Sequence, residues 1–363
     1  MSNKQMISTR QFTIITFLYS IGTSILIIPA YLAKLAKQDA WIAAIVGVLL
    51  SFLLIMLFVK LANTFPKYTL IEIIEKVLGK WLGKPVAILF ILFAFLNSGE
   101  MLYYIGNFMQ IEIMPETPNF AFVLLFGFII ILANYLGLET FARSAELLFP
   151  VFLLLFLFFI IFITPDIKFE NMQPMLDTPP RTFIASVLYF MSIFAFPSIM
   201  LLMIYPSTVN INKSAQKGFY LGILLGGIVL IFIITLCILV LGDMNTASQN
   251  YPTYILAQRI SIGNFFQRIE VIIAFMWIIT IYTRAFIYFY VTLIGLQQIF
   301  HIKDEKPLIL PFSILLLGVS QIVHPNSTHS YLYNTNIWLP YSAVFSIILS
   351  TFLLFIAKIR RLN

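Results

Sequence analysis

Apolar residues along this chain do not alternate with polar ones at the period of a strand or a half-buried helix. They fill runs of about 20 residues, separated by short clusters of Lys, Glu, Asn, Gly and Pro. A run of that length matches the hydrocarbon core of a bilayer crossed by a helix, so the chain reads as an all-α polytopic membrane protein. Punctuation by charge, Gly and Pro places about ten spans, at 12–34, 41–62, 84–111, 120–138, 143–164, 183–205, 217–242, 266–298, 308–323 and 336–357. An even number returns both termini to one side. Between spans two and three, residues 70–82 carry Ile and Leu on one face and Glu72, Glu75, Lys76 and Lys80 on the other, the pattern of an interfacial helix. Residues 254–260 are expected to form a short helix between spans seven and eight.

Composition agrees. Of 363 residues, 61% are hydrophobic and 10% charged, and the mean hydropathy is +0.98. A soluble domain runs near 45–50% apolar and about 25% charged, so a water-soluble globule is excluded. The ten-residue alternation of an outer-membrane barrel is missing too. Of the 22 basic residues, fifteen fall on the side of the termini. Six (Lys34, Lys37, Lys168, Arg181, Arg259 and Arg268) fall opposite, and Arg284 lies within a span. Cytoplasmic loops collect Lys and Arg, so both termini are expected in the cytoplasm. The net charge of +7 is then a signal of topology and anionic lipid, with no nucleic-acid partner. Lys4 and Arg10 precede an apolar run without a small-residue cleavage site, which reads as a retained first helix.

Cofactor chemistry finds no support. Cys237 is the single cysteine, and His301, His324 and His329 lack metal-ligand spacing. The segment GKWLGK at 79–84 lacks the strand and hydroxyl of a phosphate loop. With no HExxH pair or nucleophile–base set, the chain is not expected to be an enzyme, and neither cofactor nor metal is expected.

Two spans are built to break. Span one carries Ser20-Ile21-Gly22-Thr23-Ser24 at mid-depth, and span six carries Phe194-Ala195-Phe196-Pro197-Ser198, where the proline withholds an amide hydrogen. These hold equivalent ranks if the chain is two five-span halves, about 12–164 and 183–357, within one transmembrane domain of residues 1–363. An odd number of spans per half forces opposite orientations, giving a five-plus-five inverted repeat with its site at the midplane. Spans three and eight, the longest, also match in rank. Freed amides at such breaks hold a carboxylate and freed carbonyls an ammonium, so a zwitterionic amino acid is the expected ligand.

The segments ISTRQFTIITFLYSIGTSILIIP at 7–29, KQDAWIA at 37–43, ETFARSAELLFP at 139–150 and IEVIIAFMWI at 269–278 resemble the membrane B subunits of GerA-type nutrient germinant receptors of endospore-forming bacteria. That family belongs to the amino acid–polyamine–organocation transporter superfamily, with a LeuT-like fold. The resemblance implies a multi-pass subunit in the spore inner membrane that binds a small nutrient, usually an amino acid. It also implies joint action with A and C subunits to trigger germination. The alternative is a proton-coupled amino acid permease. Matched by position to superfamily relatives, the ligand-binding residues would be Ile21, Gly22 and Thr23, then Gly99 and Tyr103, then Phe194, Ala195 and Phe196, then Thr280 and Thr283. A bulky residue at Gly22 is expected to fill the opened helix and abolish the response.

Ionisable groups inside a span face a partner or water. Glu100, Glu146 and Arg284 meet that description. Glu100 shares one helical stripe with Asn97, Tyr104 and Asn107, fit for ligand-amine contact or proton relay. Arg284 is expected to pair with Glu146 or Glu100 and, by analogy with sodium-coupled relatives, to replace a bound cation beside the first break. Gly218, Gly222 and Gly226 form a smooth face expected to pack within the bundle.

Overall fold

In the computed structural model, which describes residues 6–209, 213–260 and 269–362, the described residues form helices and connecting loops with no strands. Lys4 and Arg268 lie outside the described residues. Eight helical stretches are long and apolar enough to cross a bilayer, and the shorter Lys306–Ile322 joins them. Ser24–Thr64 counts there as one stretch although it contains parts of two spans, because a 3-10 turn at Lys37–Asp39 joins them. The tenth span is the first, whose two pieces are each too short alone.

Span one starts at Thr9 because Ser8 and Gln11 form a reciprocal capping box, with bonds of 2.9 and 3.1 Å. It runs as Thr9–Ile21 and Ser24–Ala36. Span two is Ala40–Thr64. Leu70–Phe108 holds both the amphipathic segment and span three, bent at Gly79, whose φ of 79° only glycine adopts cheaply. The apolar face of the amphipathic segment (Leu70, Ile73, Ile74, Val77) is buried against the bundle. Spans four and five, Asn119–Leu136 and Leu138–Ile163, are separated by Gly137 alone. The loop expected at 139–142 is helical, with an i,i+4 ion pair from Arg143 to Glu139 at 2.7 Å.

Span six runs as Pro180–Phe194 and a 3-10 stretch, Phe196–Met203. Span seven is Lys213–Leu241, followed by short helices Asp243–Ser248 and Pro252–Gln258. Span eight is described from Val271 to Ile299, span nine is Lys306–Ile322, and span ten is Ser327–Ile359 with wide π turns at Tyr333–Ile337 and Val344–Ile348. Span ten begins nine residues before the hydropathy boundary because its first turns, STHSYLYNTN, are mostly polar, with Ser330 and Asn334 buried against the bundle.

Span one packs along span seven, and span three along span eight. The glycine series makes the first contact possible: a Cβ at Gly222 would lie 2.8 Å from the Thr13 carbonyl, and those at Gly218 and Gly226 would collide with Thr13 and Ser20. On the face opposite the termini, the KQDAWIA segment acts as a staple. The Asp39 carboxylate accepts from the Leu176 amide at 2.7 Å and from the Thr178 amide and hydroxyl at 3.0 and 2.8 Å.

Candidate functional site

The site grows out of the first break. Gly22 takes φ +38°, its amide closes the last turn on Leu18 at 3.1 Å, and a new helix begins at Ser24. The carbonyls of Tyr19 and Ser20 thereby lose their helical partners. At the second break, the missing N–H of Pro197 leaves the Ile193 carbonyl open. One side chain gathers all three. Arg284 of span eight, 2% exposed, donates Nε to Tyr19 O at 3.1 Å and Nη2 to Ser20 O at 3.0 Å and Ile193 O at 3.2 Å. Its Nη1 donates to Thr23 Oγ1 at 2.8 Å. Thr280, one turn earlier, donates its hydroxyl to Gly22 O at 2.9 Å. Tyr19 OH reaches Pro197 O at 3.0 Å, and Trp338 Nε1 of span ten reaches Ser192 O at 3.0 Å.

Beside this junction lies a cavity of about 20 Å³, lined by Thr23, Asn97, Glu100, Tyr104, Arg284, Tyr288, Asn334 and Trp338 among others. That volume is about that of one water, so the site is closed down. Glu100 is 3% exposed, and the Tyr333 phenol is its hydrogen-bonding neighbour. The amide of Asn97 donates to Phe93 O at 2.8 Å, while Asn97 Oδ1 is buried with no partner. Among the described residues, the ion pairs are Arg10 with Glu146 and Arg143 with Glu139, so Arg284 pairs with neither expected carboxylate. Glu146 instead accepts from Gln11 Nε2 at 3.1 Å, near the termini, because the third turn of span five faces the first turn of span one. The cavity therefore presents a guanidinium with one donor to spare and two oxygen acceptors, the complement of a small molecule with an anionic and a cationic end.

A family model described as "Spore germination protein" matches residues 6–328, nearly the whole chain. The chain belongs to that spore germination protein family. Relatives within it include spore germination protein YndE of Bacillus subtilis (strain 168), 25% identical over 85% of this chain and 84% of its own length. Spore germination protein KB of the same organism is 26% identical over 89% and 86%. The fold is that of solved transporters. Mhp1, a nucleobase-cation-symport-1 family transporter in a closed conformation, superposes with a TM-score of 0.63 at 13% identity, covering 94% of this chain and 78% of its own. A manganese transporter of Eremococcus coleocola gives 0.60 at 14% identity, over 96% and 78%. Both support the five-plus-five inverted repeat with breaks in spans one and six.

Around this cavity, the expected residues divide. Thr23, Glu100 and Arg284 line the cavity, and Ile21, Gly22 and Thr280 build the junction behind it. The space beside Gly22 is taken: a Cβ there would collide with the Arg284 guanidinium. Gly99 faces span nine, where a Cβ would lie 2.7 Å from Val319 Cγ1, and the Tyr103 ring packs 5.0 Å from His324. Burial and the neighbouring His329 hold His324 well below the usual imidazole range, at about 4. The Thr283 hydroxyl bonds back to Ile279 O within its own helix. Phe194, Ala195 and Phe196 are buried, but Ile193 is the span-six residue on the cavity wall. Sequence reasoning missed Asn334, Trp338 and Tyr288. The i,i+4 stripe Ser330, Asn334, Trp338 on span ten is the signal that would have found the first two.

Proposed function

We propose that this chain is the B subunit of a spore germinant receptor and that it binds a small amino acid in the cavity between Glu100 and Arg284. The observation that carries the reading is the pairing, in one closed cavity, of a carboxyl and an orphaned amide oxygen with a buried guanidinium that has no ion-pair partner among the described residues. The ammonium group meets Glu100 and Asn97 Oδ1. The carboxylate meets the spare Nη1 hydrogen of Arg284 and the open amides at the start of the Ser24 helix, where the helix dipole favours an anion. A dry interior strengthens each of these contacts.

Arg284 has a second role in this reading. It occupies the carbonyls that a mobile cation would otherwise bridge, so nutrient binding proceeds without sodium. The subunit sits in the inner membrane of the spore with both termini cytoplasmic, and it passes the binding event to A and C subunits by shifting the scaffold between two conformations. The two repeats, about 12–164 and 183–357, move against each other around the fixed site.

The test is a germination screen with the twenty standard amino acids on spores that carry or lack this chain. One amino acid is expected to trigger only the carrying spores, in sodium-free as in sodium buffer. Glu100→Gln should raise its half-maximal concentration at least tenfold. Equal responses in both spore types would remove the reading. Concentrative uptake of that amino acid by the purified chain alone in liposomes would favour a permease instead.

A further inference from the structure

A second cavity, of about 80 Å³, opens on the face opposite the termini and is divided from the inner one by three residues that line both: Ile27, Tyr104 and Asn334. The division is a hydrogen-bonded latch. Asn334 Nδ2 donates to Tyr104 OH at 2.8 Å and to Ser330 O at 2.9 Å, tying span three to span ten. The lining of the outer cavity is polar but lopsided in charge. Among the described residues it holds hydroxyls and amides and one ionised side chain, Lys34, with no Asp or Glu. Lys34 is exposed, yet it is aimed: Nζ donates to Tyr331 OH at 3.2 Å and stands 4.5 Å from the centre of the Tyr331 ring, which stacks on Tyr31 at 5.4 Å. Tyr331 accepts one of its three ammonium hydrogens, and the others are available to a ligand.

We propose that this outer cavity is an entry subsite that captures the carboxylate of the incoming nutrient through Lys34 before the Tyr104–Asn334 latch parts. The inference rests on the reading of the inner cavity as the nutrient site. Charge then orients the molecule. The cation at the mouth holds the carboxylate outward, while the acceptors below the latch, Glu100 and Asn97 Oδ1, draw the ammonium group inward. Because Lys34 is solvated, its contribution is that of an exposed charge contact and acts mainly on the capture step.

The experiment uses spores carrying Lys34→Gln or Lys34→Arg, with chain levels checked by immunoblot. The probes are the most active standard amino acid in wild-type spores and its primary carboxamide. With Lys34→Gln the half-maximal concentration of the acid rises about fivefold, the size expected of one exposed charge pair. The carboxamide, a weaker trigger in every strain because it also loses its charge contact with Arg284, does not shift with Lys34→Gln, and Lys34→Arg responds to the acid as wild type. An unchanged response to the acid, or equal shifts for acid and amide, overturns the subsite while leaving the inner site standing, provided Glu100→Gln still raises the threshold. If Glu100→Gln also responds as wild type, or no amino acid acts, the nutrient reading itself falls and the subsite with it.

Discussion

At Gly22 the chain opens through a positive φ among hydroxyl residues, and the carbonyls of Tyr19, Ser20 and Gly22 are met by side chains of span eight. At Ala195 the chain opens because a proline follows, among apolar residues, and its carbonyls are met by Arg284, Tyr19 and Trp338 arriving from three other spans. The breaks hold equivalent places in an inverted repeat, but they are not equivalent chemically. The first supplies polar groups and the floor of the cavity, and the second supplies shape and one carbonyl, Ile193 O, to Arg284. A duplicated scaffold can thus keep its geometry in both halves while one of the two breaks takes over the polar chemistry, and SIGTS against FAFPS already records that difference in the sequence.

The largest effect falls on the residue that both breaks share. Arg284→Leu strands three carbonyls and a hydroxyl in a dry interior and should lower the stability of the detergent-solubilised chain by about 3–5 kcal/mol, read as a fall in Tm. Arg284→Lys recovers only part of this, because an ammonium cannot reach the acceptors that a planar guanidinium spans. A small loss would mean that the breaks are held by backbone strain alone and that Arg284 does not join them.

Next comes a cycle that isolates the first break. Gly22→Ala meets both a disfavoured φ of +38° and the guanidinium, so it should cost about 2–3 kcal/mol. In an Arg284→Ala background the cost should fall to about 1 kcal/mol, the backbone strain alone. A coupling near zero would separate Gly22 from Arg284. This pair also sharpens the expectation that a bulky residue at Gly22 fills the opened helix, since the atom it meets there is the Arg284 guanidinium.

The smallest effects compare the two breaks directly. Thr280→Val removes one hydrogen bond at Gly22 O and should cost about 1 kcal/mol. Trp338→Phe removes one at Ser192 O beside the second break and should cost about 0.5–1 kcal/mol, because the ring still packs. Larger damage from Trp338→Phe than from Thr280→Val, measured as Tm, would reverse the ranking of the two breaks.

Much of the fold was legible because membrane spans are written in long apolar runs, and Gly22 and Pro197 mark the interruptions by mechanisms that act on the backbone itself. Span ten was misjudged at its outer end because residues 327–336 are mostly polar and place Ser327, Ser330, Tyr331 and Asn334 on a cavity wall, which hydropathy cannot distinguish from a loop. At the site, the helical stripe through Asn97, Glu100 and Tyr104 identified cavity residues, since periodicity reports which face a residue occupies. Positions carried over from distant relatives, Gly99 and Tyr103, came out on the neighbouring face. One residue of register on a helix is a turn of about 100°, enough to exchange a cavity for a helix contact. The partner of Arg284 was not legible, because backbone carbonyls leave no trace in residue identity.

The most direct measurement is a cryo-electron microscopy map of the chain with its nutrient bound. It should show spans one and six broken at Gly22 and Ala195, Arg284 lying across both, and nutrient density in contact with Glu100 and Asn97. Helices winding continuously through either position, or nutrient density elsewhere with the Glu100 cavity still closed, would contradict the account.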